Sequence, residues 1–423
     1  MNKAISLAVV CAGVFSLEAH SDEFVSDKGF LEDSHLNALV RNAYISRDYR
    51  NGRQDKAEWG LGTIANFQSG FSEGTVGFGI DGFAASAIRL DGGGGKSGAN
   101  GIDFFKQDSS GHPADTLSRV GTSIKLRYGE TLLQYGELRP TLPVLNHDDS
   151  RLLPESYTGW MLTSKAVPSM TLTTGHFSGE VRKSATSRDS GRLKQIDVIG
   201  GQYDLSPTAT FSLYASNVED RLKRYYVGAS KTFLLSSQQS VSLDFNGYQS
   251  DIDKDFSDSL GTGTDNKIWS AALTYSIGAH QFMLAHQRSS GDAGYIYGGY
   301  QSTGYVGDGG GSIFLSNSYW SDFNAEDERS WQAAYTLDMK EYGVPGLSYR
   351  VAYVRGTDIH AEDNVGKERE IFTQLQYVVQ NGPMKDFKAK LRGSWLRVSN
   401  DVRSYNEDGN EIRLYLDYPV SIF

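Results

Sequence analysis

Three features of this 423-residue chain predict an all-β fold, an antiparallel transmembrane β-barrel of about 18 strands: a short apolar leader, period-two alternation from Leu36 onward, and links that alternate between short and long. Met1, Asn2 and Lys3 precede an uncharged run from Ala4 to Leu17, the pattern of a secretory signal peptide over residues 1–19, with cleavage expected near Ala19. The barrel would then occupy residues 24–423. The one cysteine, Cys11, lies in the leader, so the mature chain is expected to have no disulfide. No later stretch approaches the roughly 18 apolar residues of a spanning helix. The mean hydropathy of -0.42 fits a barrel whose apolar residues occupy alternate positions. The net charge of -10, unchanged by loss of Lys3 with Glu18, argues against a nucleic-acid partner.

The alternating runs begin near 36, 57, 75, 118, 131, 155, 169, 193, 208, 222, 239, 266, 279, 328, 346, 367, 386 and 410. In the third, Val76, Phe78 and Ile80 alternate with Gly77, Gly79 and Asp81. In the fourth, Val120, Thr122, Ile124 and Leu126 alternate with Gly121, Ser123, Lys125 and Arg127. Trp269, Ala271, Leu273 and Tyr275 share one face of the twelfth, and Trp331, Ala333, Tyr335 and Leu337 one face of the fourteenth. An even count permits closure, which leaves no unpaired strand edge in hydrocarbon. Short turns at 69–74, 129–130, 166–169, 204–208, 236–238, 277–279, 340–346 and 380–385 alternate with longer links, chiefly 91–117, 139–154, 180–192, 251–265 and 290–327. Pro168, Pro207, Pro345 and Pro383 fall in the short turns, where no ladder hydrogen bond is lost. The last run, ending on Phe423, looks like the aromatic-ended last strand that outer-membrane assembly machinery recognises, so that machinery is an expected partner.

If the apolar member of each pair faces lipid, the others face the lumen. They include Arg41 and Arg47 in strand 1, Lys125 and Arg127 in strand 4, Arg350 in strand 15, Lys388, Lys390 and Arg392 in strand 17, and Arg413 in strand 18. Closure sets strand 18 beside strand 1, so most of these cations share one wall, a ladder suited to carboxylates. Strands 9 and 11 to 14 offer mainly neutral groups such as Ser212, Tyr214, Asn246, Tyr248, Gln281 and Gln332. The proline-rich link about 139–155, RPTLPVLNHDDSRLLPE, is expected to fold inward as a constriction loop. There Arg151 would face the ladder, and Asp148, Asp149 and Glu155 would form an opposing acidic side.

Other chemistry is weakly signalled. DGGGGKS at 91–97 mimics a phosphate loop, but Leu90 stands where its first glycine belongs and no helix follows. The histidines have no metal-ligand spacing, and nothing local marks a nucleophile. No catalytic residue, metal or cofactor is expected.

LVRNAYISRDYR at 39–50, VGFGIDGF at 76–83, LPVLNHDDSRLLPESYTGW at 142–160, AHQRSSGD at 285–292, SNSYWSDFNAEDERSWQAAYTLDM at 316–339, YGVPGLSYRVAY at 342–353, VQNGPMKDFKAKLR at 379–392 and the ending YPVSIF together resemble the OprD-type substrate-specific outer-membrane porins of Pseudomonas and relatives. The resemblance covers nearly the whole mature chain. It implies an 18-stranded multi-pass channel in the bacterial outer membrane, monomeric or weakly trimeric, for small carboxylate solutes, with outer-membrane lipid and lipopolysaccharide around it. It also implies roles for Arg41, Arg47, Arg151, Arg392 and Arg413, with Asp149 and Asp292 as acidic counterparts. The seventh loop, 291–323, departs from the pattern in its glycine and tyrosine content. A general diffusion porin without substrate preference and a barrel-type hydrolase remain the alternatives.

Overall fold

The structure, a computed structural model, describes residues 29–50, 52–91, 102, 104–106, 112–187, 193, 195–297, 313–361, 364–400 and 408–423. The leader with Cys11 and the glycine run at 92–97 lie outside these. Eighteen strands form one sheet: β1 His35–Tyr49, β2 Lys56–Gln68, β3 Val76–Arg89, β4 Thr116–Tyr128, β5 Thr131–Leu138, β6 Ser156–Ser164, β7 Met170–Val181, β8 Ile196–Ser206, β9 Ala209–Val218, β10 Leu222–Ser236, β11 Gln239–Ile252, β12 Asp265–Ile277, β13 His280–Gly291, β14 Arg329–Asp338, β15 Leu347–His360, β16 Val365–Val378, β17 Lys388–Val398 and β18 Gly409–Ser421. Every neighbouring pair is antiparallel. The sheet closes where β18 pairs with β1, from Asn37 opposite Ser421 to Tyr49 opposite Gly409.

Alternation decides which face each residue takes. On the outward face Val120, Leu213, Phe282, Leu284, Ile371 and Leu391 are exposed, as lipid contact requires. On the inward face sit Arg41, Lys125, Arg224, Ser270 and Gln332, buried under loops that turn into the barrel. The links after β2, β4, β6, β8, β10, β12, β14 and β16 are short, and the long ones lie at the opposite end, which is the outer end. Three outer links, 50–55, 219–221 and 361–364, are short as well, so the alternation in length is uneven.

Residues 139–155, the third outer loop, enter the barrel. β5 is shorter than its neighbours. It leaves the sheet after Leu138, and its pairing with β4 ends where Gly136, at φ 138°, stands opposite Ser123. Inside, Leu152 and Leu153 pack with Ala43, Ile45, Ile64, Ile102, Phe104 and Phe105. The wall is hollowed for them: a Cβ on Gly60 would collide with the Leu152 side chain, and one on Gly62 would lie 3.2 Å from the Leu152 carbonyl oxygen. Farther round, Val144 and Leu145 join Ala293, Tyr295, Ile313 and Leu315 of the seventh loop in a second cluster with Tyr226 and Tyr248.

Candidate functional site

The seam between the last and first strands carries the densest set of inward charges. Register sets Arg350 opposite Gln374, Gln374 opposite Arg392, and Arg392 opposite Arg413, one row across β15 to β18. A second row joins Lys388, Asp417 and Arg41, and a third joins Ser394, Glu411 and Arg47. Lys390 and Tyr415 stand between them, with the ammonium 5.0 Å from the ring centroid. The arginines and lysines read from alternation on β1, β15, β17 and β18 therefore do share a wall.

Carboxylates on the same wall, in the same alternation as the cations, neutralise part of it. Arg47 Nε donates to Glu411 Oε2 at 2.6 Å, and Arg413 Nε donates to Glu411 Oε1 at 2.5 Å. Arg41 Nε donates to Asp417 Oδ1 at 3.0 Å, while its Nη1 reaches Asp149 Oδ1 at 2.8 Å and the Arg151 carbonyl oxygen at 2.9 Å. Arg392 has a neutral partner, with its Nε donating to Gln374 Oε1 at 2.7 Å. Arg350 donates from Nη2 to the Tyr319 hydroxyl at 2.9 Å, and the Tyr319 ring stacks on Phe372 at 4.2 Å. Among the described residues the hydrogen bonds of Arg392 and Arg350 thus go to neutral partners rather than to a carboxylate.

Other expected positions fall elsewhere. Lys125 and Arg127 lie on β4, three strands round the wall from β1. Lys125 is buried in an ion pair with Asp81 at 2.7 Å, and the Arg127 guanidinium sits 4.4 Å from the Phe71 ring. Arg151 does not face the ladder. Its Nε donates to the Ile102 carbonyl oxygen at 2.6 Å, because burial of Leu152 and Leu153 turns it toward the second loop. Asp148 and Glu155 form no opposing acidic side, since both are buried on the wall side of the loop: Asp148 pairs with Lys183, and Glu155 Oε2 accepts from the Asp148 N–H at 3.0 Å. Asp292 is exposed at the outer rim, where its Oδ1 accepts from the Asp265 N–H at 2.6 Å.

These bonds latch the third loop from behind. Arg119, on the inward face of β4, donates to the Arg182 carbonyl oxygen at 2.6 Å and also to that of Pro154. Burial alone would push the Asp148 carboxyl up, but the Lys183 ammonium and the Arg151 guanidinium hold it below the usual carboxylate range. Glu155 goes the other way. Burial, and then the neighbouring Glu180 carboxylate, raise its carboxyl well above the ordinary value. Arg119, and Arg224 beneath the seventh loop, are inward cations that the same alternation would have revealed.

A closed barrel with an apolar outer band, inward-turned loops and a charged inner wall is a channel of the outer-membrane class. The chain belongs to the OprD family of outer membrane porins, whose model matches residues 28–422. It is 39% identical to Porin D of Pseudomonas aeruginosa over 99% of this chain and 98% of that protein. Among solved structures it is similar to OccAB1 of Acinetobacter baumannii, with TM-score 0.88 and 31% identity over 95% of this chain and 100% of that one. It is also similar to Pseudomonas aeruginosa OpdK with vanillate, with TM-score 0.80 and 27% identity over 93% of this chain and 100% of that one. It is an outer-membrane channel that passes small solutes, not an enzyme.

Proposed function

We propose that the channel gives passive, selective passage to small carboxylate-bearing solutes, steered along the basic wall of β15, β17, β18 and β1. The row Arg350, Gln374, Arg392 and Arg413 carries this reading, because it presents guanidinium groups at one level and leaves Arg392 without an acidic partner among its bonds. A carboxylate entering there gains charge-assisted, planar hydrogen bonds that a neutral solute cannot make. Lys388 and Lys390 extend the track along β17. Residues 139–155 act as the constriction, with Asp149 held against the wall by Arg41. In support, OpdK is crystallised with vanillate, an aromatic carboxylate. Arg127, Arg151 and Asp292 drop out of the solute path. The leader 1–19 directs export.

Liposome swelling against a panel of amino acids, aromatic acids, dicarboxylates and size-matched neutral sugars tests this reading. Carboxylates are expected to enter faster than neutral solutes of equal size. Rates ordered by size alone would make the protein a general diffusion porin.

A further inference from the structure

The outward face carries a second concentration of arginine that no solute in the lumen can reach. At the outer ends of β13 to β17, Arg288 stands opposite Arg329, Arg355 opposite Arg369, and Arg369 opposite Arg397. Arg288, Arg329, Arg355 and Arg369 are exposed and Arg397 is half-buried. Like charges directly opposite on one face of a sheet repel. The only carboxylates paired with these five among the described residues are Asp358 on β15, 3.5 Å from Arg329, and Asp408, 3.5 Å from Arg397. For Arg288, Arg355 and Arg369 no acidic partner is found among the described residues.

The placement says what supplies the missing charge. Trp269 pairs with Arg288, and Trp331 with Arg355; Trp331 and Trp395, each two residues along its strand from an arginine, are exposed on the same face. Exposed tryptophans mark the level where hydrocarbon gives way to headgroups, so the guanidiniums sit at that level and just beyond it, within reach of the headgroups of the outer leaflet. On the opposite arc, the strands β2 to β9 carry Trp59, Ile88, Ser118, Asp197 and Asn217 on the same face toward their outer ends and no Lys or Arg, while the strands between the arcs carry single exposed cations, Arg50 after β1, Lys223 on β10 and Lys267 on β12. General solubility or an indifferent rim would not divide the circumference in this way.

We propose that this arc is a binding site for the phosphorylated headgroup of the outer-leaflet glycolipid, whose phosphates bridge the opposed arginine pairs while its acyl chains lie along the apolar band below. The site is independent of the basic wall inside the barrel. Arginine suits it because a planar guanidinium can grip a phosphate with two parallel N–H donors.

The test uses the full-length protein in detergent, with binding of diphosphorylated lipid A, dephosphorylated lipid A and inorganic phosphate measured by native mass spectrometry. Diphosphorylated lipid A is expected to bind, the dephosphorylated form far more weakly, and millimolar inorganic phosphate to compete poorly. The variant with Arg355→Gln and Arg369→Gln is expected to bind diphosphorylated lipid A about 30-fold more weakly, from two surface cations removed. Arg355→Lys with Arg369→Lys should keep most of the binding, and Lys254→Gln, at an exposed loop residue, should keep all of it. Heat-modifiable gel mobility and unchanged single-channel conductance certify a folded barrel. If the Gln variant does not fold, the comparison of phosphorylated with dephosphorylated lipid on the parent protein decides. Equal binding of the two lipids, an unaffected Gln variant, or full competition by inorganic phosphate would each overturn the proposal.

Discussion

Replacing Arg392 by Ala removes the wall guanidinium whose bond goes to a neutral amide, Gln374 Oε1 at 2.7 Å. A carboxylate that meets this group makes a charge-assisted hydrogen bond of about 1.5–3 kcal/mol in a partly desolvated setting. The Coulomb attraction of one charge pair at about 4 Å, roughly 1 kcal/mol in bulk water and about 4 kcal/mol at an effective dielectric of 20, brackets the same range. Arg392→Ala is therefore expected to weaken block of single-channel current by an aromatic carboxylate by about 10- to 150-fold. It should also move the reversal potential in a salt gradient toward cation selectivity. Recordings on planar bilayers measure both quantities. Lys254→Ala, in the exposed sixth outer loop, removes the same formal charge far from the wall. Equal effects from the two variants would show that bulk charge, and not the Arg350–Arg392–Arg413 row, governs the current.

Glu411→Gln releases Arg47 and Arg413 from their ion pairs, so anion selectivity and carboxylate affinity should both rise, opposite in sign to the loss at Arg392. Gly60→Val puts a side chain where Leu152 now packs, so the third loop should lift from the wall and change the conductance. Lys183→Met takes the directly bonded cation from the buried Asp148 carboxylate and leaves it Arg151 and the Ser150 N–H, at a cost of up to about 3–5 kcal/mol to the loop's docking, visible as added current noise at neutral pH. Since Asp148 is held below the usual range, its contribution is present above the ordinary carboxylate value and is lost as pH falls toward its depressed one; the parent channel should turn noisy only in strong acid. Glu155 has the opposite sign. Its raised carboxyl keeps a proton in the folded state, so stability falls as pH climbs above the ordinary value of 4.5, and the Tm advantage of Glu155→Gln should grow over that interval.

The strands were legible because a wall between lipid and water imposes a repeat of two on nearly every segment. The runs expected near 36, 131, 222 and 410 are β1 from His35, β5 from Thr131, β10 from Leu222 and β18 from Gly409. The shared basic wall was legible for the same reason, with closure supplying the contact between β18 and β1. Glu411 and Asp417 stood in the same alternation as Arg413, and reading cations without their neighbours concealed the pairing. The third loop was different in kind. The direction of Arg151 and the burial of Asp148 and Glu155 follow from how Leu152 and Leu153 seat against β1 and β2 and from Lys183 reaching back from the fourth loop, contacts between segments far apart in sequence.

The position of the basic wall at the closure seam ties its completion to the order of assembly. Arg41 and Arg47 belong to the first strand and Arg413 to the last, so the rows that join them exist only after the two ends of the chain meet. Before that moment Glu411 and Asp417 lack their partners on β1, and the two free edges attract each other through complementary charge as well as through backbone pairing. A chain halted one strand short would possess most of its wall and none of the completed seam. The ion pairs of the seam, Arg41 with Asp417 and Arg47 with Glu411, are therefore also a mark that the barrel has been finished.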